Sequence, residues 1–175
     1  MAPEIQFLKF QNPTRGEIIF GEVIREIQRF MTRDVASRYN IMIGSDSNGN
    51  NGIEKGTLDV VSVIAIHRVG NGGKYFWSRS ARRNIHTLRQ KIYAEVDASL
   101  ELAAIFLPAF KQVLKIQEQQ SEIGFDFQIH VDVGTVGETR DLIKEVTGMV
   151  RGYGYEVFVK PESAAATSLA DRHVR

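Results

Sequence analysis

Four acidic side chains in this chain of 175 residues stand out by the company they keep. Asp46 follows the apolar run Ile41-Met42-Ile43-Gly44 with only Ser45 between. Asp132 lies near the end of Phe125–Val133, where apolar and polar residues alternate. Glu95 and Asp171 fall in helical patterns beside apolar or small neighbours. Isolated buried carboxylates are costly, so acids in such places usually have a partner that uses their charge. If folding gathers the four, repulsion raises some of their pKa values unless cations neutralise them. Hard carboxylate oxygens suit Mg2+ or Mn2+ better than zinc or copper. Two such ions about 3.5–4 Å apart activate water and stabilise the leaving oxygen of an in-line displacement. That chemistry is phosphodiester cleavage.

Each acid also has a plainer explanation. Asp46 sits among Ser, Asn and Gly, where a turn aspartate is ordinary. An EF-hand is excluded, because the sixth loop position from Asp46 is Asn51 and the twelfth is Thr57. At about 100° per residue, Leu88, Ile92, Val96, Ser99 and Ala103 share one helical arc that includes Glu95. Asp97 and Glu101 point away from it, toward water. A glutamate at the edge of that arc could equally snorkel to solvent. Asp132 shares a strand face with Asp126, Gln128 and His130, but could cap the next helix. Asp171 lies toward a helix C-terminus, where the dipole disfavours an acid, yet exposed aspartates occur there.

The elements that position these residues follow from periodicity. Thr14-Arg15-Gly16-Glu17 has capping-box spacing, and Ile18, Ile19, Val23, Ile24, Ile27, Phe30 and Met31 continue a helix to about Arg38. Tyr39 to Ile43 is a short strand, and Asn48 to Gly56 a Gly/Asn-rich loop. Thr57–Val69 and Lys74–Ser80, joined by Gly70–Gly73, form an antiparallel hairpin. A long helix begins near Ile85, with Pro108 as a break or as the first turn of a continuation. After the strand at Phe125–Val133 come a turn at Gly134–Glu138 and a helix through Leu142, Ile143, Val146, Met149 and Val150. The strand Tyr155–Lys160, Pro161 and a helix capped by Ser163 complete the chain. This order predicts an α/β fold with a mixed five-stranded sheet and helices on both faces. Residues 1–38 are expected as a helical extension packed on a core domain at 39–175. The apolar face of that extension packs on the sheet or forms a homodimer contact.

Composition narrows the class. Apolar and charged fractions of 43% and 25% are average for a soluble globular chain. A net charge of +1 leaves any nucleic-acid contact to local patches. The absence of cysteine excludes disulfides, thiolate zinc sites and a cysteine nucleophile. No apolar run approaches the roughly 20 residues needed to span a bilayer, so a cytoplasmic protein is expected.

The element order and the placement of the acids resemble the ribonuclease-H-like superfamily, and more closely its YkuK-type family. The resembling segments are IGSDSN (43–48), KIYAEVDASLELA (91–103), IHVDVGTVGETRDLIKEVTGMVRGYGYEV (129–157) and KPESAAATSLADRHVR (160–175). The resemblance implies a sheet ordered 3-2-1-4-5, with the first strand parallel to the fourth at its centre. It also implies that Asp46, Glu95, Asp132 and Asp171 are metal ligands and catalytic residues of a two-metal nuclease using Mg2+ or Mn2+. RNA, DNA or a hybrid would be its partner. Among secondary candidates, His173 could shuttle a proton or be a surface histidine, and His130 is structural. Arg79, Arg82, Arg83, Arg89 and Lys91, with Trp77 and His86, could contact phosphates and stack a base, or form a paired, solvated surface. One rival reading is nucleotide or phosphate binding. Asp132-Val133-Gly134-Thr135 and Gly137-Glu138-Thr139 resemble the phosphate loop of actin-like ATPases, although no Walker A ending is present. Another is a non-catalytic nucleic-acid-binding module of the same fold.

Overall fold

One long β-branched run, Thr57–Arg68, and the shorter apolar run before it set the centre of the sheet. β3 (Tyr39–Ser47) pairs antiparallel with β4 (Thr57–Arg68), and β4 pairs antiparallel with β5 (Gly73–Arg83). The computed structural model describes residues 8–48, 50–117, 123–134 and 140–174. Before these strands come β1 (Lys9–Asn12), β2 (Gly16–Ile19) and α1 (Phe20–Thr32). A short α2 (Asn50–Glu54) occupies what the sequence presents as loop. After them come α3 (Leu88–Gln117), β6 (Phe125–Val131), α4 (Ile143–Gly152), β7 (Glu156–Val159) and α5 (Ala164–Val174). β6 lies parallel to both β3 and β7.

Among the described residues the sheet therefore has seven strands in the order β2-β1-β5-β4-β3-β6-β7, not five in the order 3-2-1-4-5. The five strands from Tyr39 onward run β5-β4-β3-β6-β7 within it, and the β1–β2 hairpin extends the β5 edge. That hairpin replaces the expected start of a single leading helix. Asn12 Oδ1 accepts the Thr14 and Arg15 amides at 3.1 Å each, and Gly16 takes φ +73°, a left-handed conformation that suits glycine. α1 begins only at Phe20, where Glu22 Oε2 accepts the Ile19 amide at 3.1 Å. It stops at Thr32, short of Arg38, and the Tyr39 hydroxyl fixes the following turn by donating to the Asp34 carbonyl at 2.7 Å.

Alternation along the central strands makes both sheet faces apolar. Ile41, Ile43, Ile64, Ile66 and Ile129 pack with Val23 and Ile27 of α1, Ile92, Val96 and Phe106 of α3, and Val146 of α4. Met42, Val61, Val63 and Ala65 pack on the other face with Ala170 and Leu169 of α5. α3 runs unbroken through Pro108. The carbonyl deprived of a donor by Pro108 is that of Ala104, and both residues are exposed, so water can serve it. No helix among the described residues is long and apolar enough to cross a membrane.

Candidate functional site: carboxylates and lysines at the strand ends

Parallel pairing between β3 and β6 ends at Gly44↔His130, so Asp46 and Asp132 each lie two positions beyond the same rung. Asp46 is still within β3, opposite Val61 of β4, rather than in the loop that its Ser/Asn/Gly surroundings suggest. Asp132 follows β6 directly. Both stand at carboxyl ends of central parallel strands, where α/β sheets gather their ligand sites.

The neighbours of Asp46 along β3 turn toward α3. Ser45 Oγ meets Ser62 Oγ of β4 at 2.8 Å and accepts from Ser99 Oγ of α3 at 2.9 Å. These three buried hydroxyls fix the distance between helix and sheet one turn from Glu95. Ser47 Oγ donates to Glu95 Oε1 at 2.7 Å. Glu95 is 5% exposed, while Asp97 and Glu101 face solvent. Lys91, one turn earlier on α3, places its Nζ 2.5 Å from Glu95 Oε1 and 3.9 Å from Asp46 Oδ1.

On the other side of Asp46, Lys160 forms an ion pair with Asp132. The sheet dictates this pair: the β6–β7 ladder ends at Val131↔Val159, so the next residues, Asp132 and Lys160, are neighbours. Asp171 is exposed on α5, the helix that covers the Asp46 face of the sheet.

The four carboxylates share one electrostatic neighbourhood. Burial pushes the Asp46 carboxyl above its usual range; the Ser47 amide and Lys91 oppose this, and the charges of Asp132 and Asp171 reinforce it. Burial likewise raises Glu95 against the pull of Lys91 and Ser47, with Asp46 adding to the rise. Lys160 is raised chiefly by its bond to Asp132, and it also feels Asp46 and Asp171. Yet among the described residues no three His, Cys, Asp or Glu side chains are grouped closely enough to hold one metal ion. Lysine ammoniums, which sequence reasoning did not place here, supply the positive charge instead.

The remaining candidates have structural partners. His130 is buried, with Nδ1 3.0 Å from the Ser163 carbonyl and Nε2 3.2 Å from Gln128 Oε1, and burial lowers its pKa. The ring of His173 stacks on Trp77 at 4.3 Å and 14°, and Arg79 donates to its backbone carbonyl. It thus docks the end of α5 on β5. In the basic cluster, Arg82 meets Glu101 at 2.5 Å, Arg89 pairs with Glu145, and Lys91 is committed to Glu95. These three cations are thus each paired with a carboxylate, whereas exposed Arg83 lines a cavity of about 310 Å³ beside Arg82, Tyr93 and Asp97. Thr135–Thr139 of the suggested phosphate loop lies outside the described residues.

Comparison with known proteins agrees with this architecture. The Ribonuclease H-like family pattern matches residues 22–175. A Bacillus subtilis (strain 168) protein described as "Uncharacterized protein YkuK" is 31% identical over 173 residues, covering 95% of this chain and 96% of its own. No solved structure gives a significant match. A match of this extent, on a mixed sheet with acids at the ends of its central parallel strands, makes the chain a member of the ribonuclease H-like family.

Proposed function

We propose that the chain is a metal-dependent nuclease that hydrolyses phosphodiester bonds in a nucleic acid. The carrying observation is the level placement of Asp46 and Asp132 at the ends of β3 and β6, with Glu95 and Asp171 bearing on the same point. The chemistry of the donors, though not yet their grouping, supports Mg2+ or Mn2+: they are carboxylate oxygens, and positive charge is already drawn to them in the form of Lys91 and Lys160. Asp46 and Asp132 would be the central ligands, with Glu95 and Asp171 flanking them. Bound divalent ions supply charge neutralisation at the phosphate and a more acidic water. The protein's part is positional. Ser47 orients Glu95, the Ser45–Ser62–Ser99 contacts hold α3 at a fixed height, and the Trp77–His173 stack seats the helix that carries Asp171.

The test is cleavage of RNA, DNA and hybrid substrates with Mn2+. Asp46→Asn and Asp132→Asn are each expected to lower the rate by at least about 100-fold, the loss of several kcal/mol of transition-state stabilisation. Undiminished cleavage by both variants would falsify the assignment. Tight ATP binding without cleavage would favour the nucleotide-binding reading.

A further inference from the structure

We propose that Lys91 is an internal counter-cation that a divalent ion must displace from Glu95 and Asp46, so that this lysine sets the site's metal affinity. The inference rests on the metal-dependent reading above and extends it to a residue outside the carboxylate set. Its basis is geometric. The Lys91 ammonium is 2.5 Å from Glu95 and 3.9 Å from Asp46, and its side chain is only 15% exposed. Glu95 Oε1 thus already receives Lys91 and the Ser47 hydroxyl. A hard cation binding there requires that oxygen's lone pairs, so contact with the ion and a close ammonium bond are in competition. At Asp46 the competition is electrostatic only, because Lys91 Nζ stands 3.9 Å from its Oδ1, beyond hydrogen-bond reach. The spacing makes the exchange feasible: Lys91 lies one turn from Glu95 on α3, near the exposed helix start at Arg89 and Gln90, so its flexible stem can swing to solvent.

Two measurements test this. Lys91→Met should bind Mn2+ at least about fivefold more tightly than the wild type in calorimetric titration, since the competing charged hydrogen bond is gone. Arg89→Met, which makes the same charge change two residues away, about half a turn around the helix and at a residue paired with Glu145, should leave the affinity unchanged. The second measurement uses the unaltered protein and therefore does not depend on the variant folding. Acylation of lysines by an amine-reactive ester, read by mass spectrometry, should increase severalfold at Lys91 when saturating Mn2+ is added, with exposed Lys111 as the reference. Unchanged or weaker Mn2+ binding in Lys91→Met overturns the role of Lys91, as does unchanged labelling in wild-type protein that demonstrably binds the ion. An equal gain in Arg89→Met would reduce the effect to bulk charge and also overturn it. If neither protein binds Mn2+ or Mg2+, the metal reading of the whole site fails with it.

Discussion

At Asp46, burial raises the carboxyl pKa more than the Ser47 amide and Lys91 can cancel, and the charges of Asp132 and Asp171 add to the rise. A raised folded pKa favours the protonated form, so the associated stability is present in acid and lost as pH rises through the folded value. Asp46→Asn is uncharged at every pH. In EDTA at neutral pH it should therefore melt about 2–4 °C above the wild type, a gain of roughly 1 kcal/mol for a domain of this size. The gain should vanish below the ordinary carboxylate range; thermal melts across pH decide, and a lower neutral melting point would contradict the prediction. A residue that costs stability where it would bind metal fits a functional site. The helical wheel made Glu95 legible, separating it from Asp97 and Glu101. Lys91 was missed: it precedes Glu95 by the four residues of an ion pair on a helix face, but a row of basic neighbours disguised it. Lys160 was not legible. Its place beside Asp132 exists only once β7 is known to lie in parallel register with β6.

Elements short enough to depend on their neighbours were the ones local pattern misread. β1 and β2 have four residues each, and Thr14-x-x-Glu17 followed by two isoleucines imitates the start of α1. Sheet pairing decides otherwise, because Phe10 and Ile18 reach the core only as strand residues. Glu26 of α1 ties this hairpin down, accepting from Arg15 at 2.7 Å, Arg29 at 3.1 Å and Lys74 of β5 at 3.1 Å. Burial pushes its carboxyl up, but Lys74, Arg15 and Arg29 together outweigh that and hold it below its usual value. A depressed folded pKa gives stability that is present above the unfolded value and lost as pH falls through the folded one. Glu26→Gln should thus cost about 1–3 kcal/mol at neutral pH, with the difference from wild type closing in acid. Urea denaturation at the two pH values measures it. An equal deficit in acid would mean that the charge is not what matters.

Across the whole molecule, the order of elements was readable because β3, β4, β5 and β6 are long and strongly patterned, whereas the strand count was not. Their connections differ in kind. β3, β4 and β5 form an antiparallel meander, with a tight Gly-rich turn from β4 to β5. β6 joins β3 only after α3 has crossed the sheet. Contacts between segments distant in sequence form more slowly, because loop closure must come first. In refolding followed by pulsed hydrogen exchange, amides of β4 and β5 should gain protection before those of β6; simultaneous protection would reject that order. The level rung that sets Asp46 beside Asp132 then has a consequence in time. A chain with its meander already formed still lacks the paired carboxylates, so any activity that depends on them should return with the slowest phase and never ahead of it.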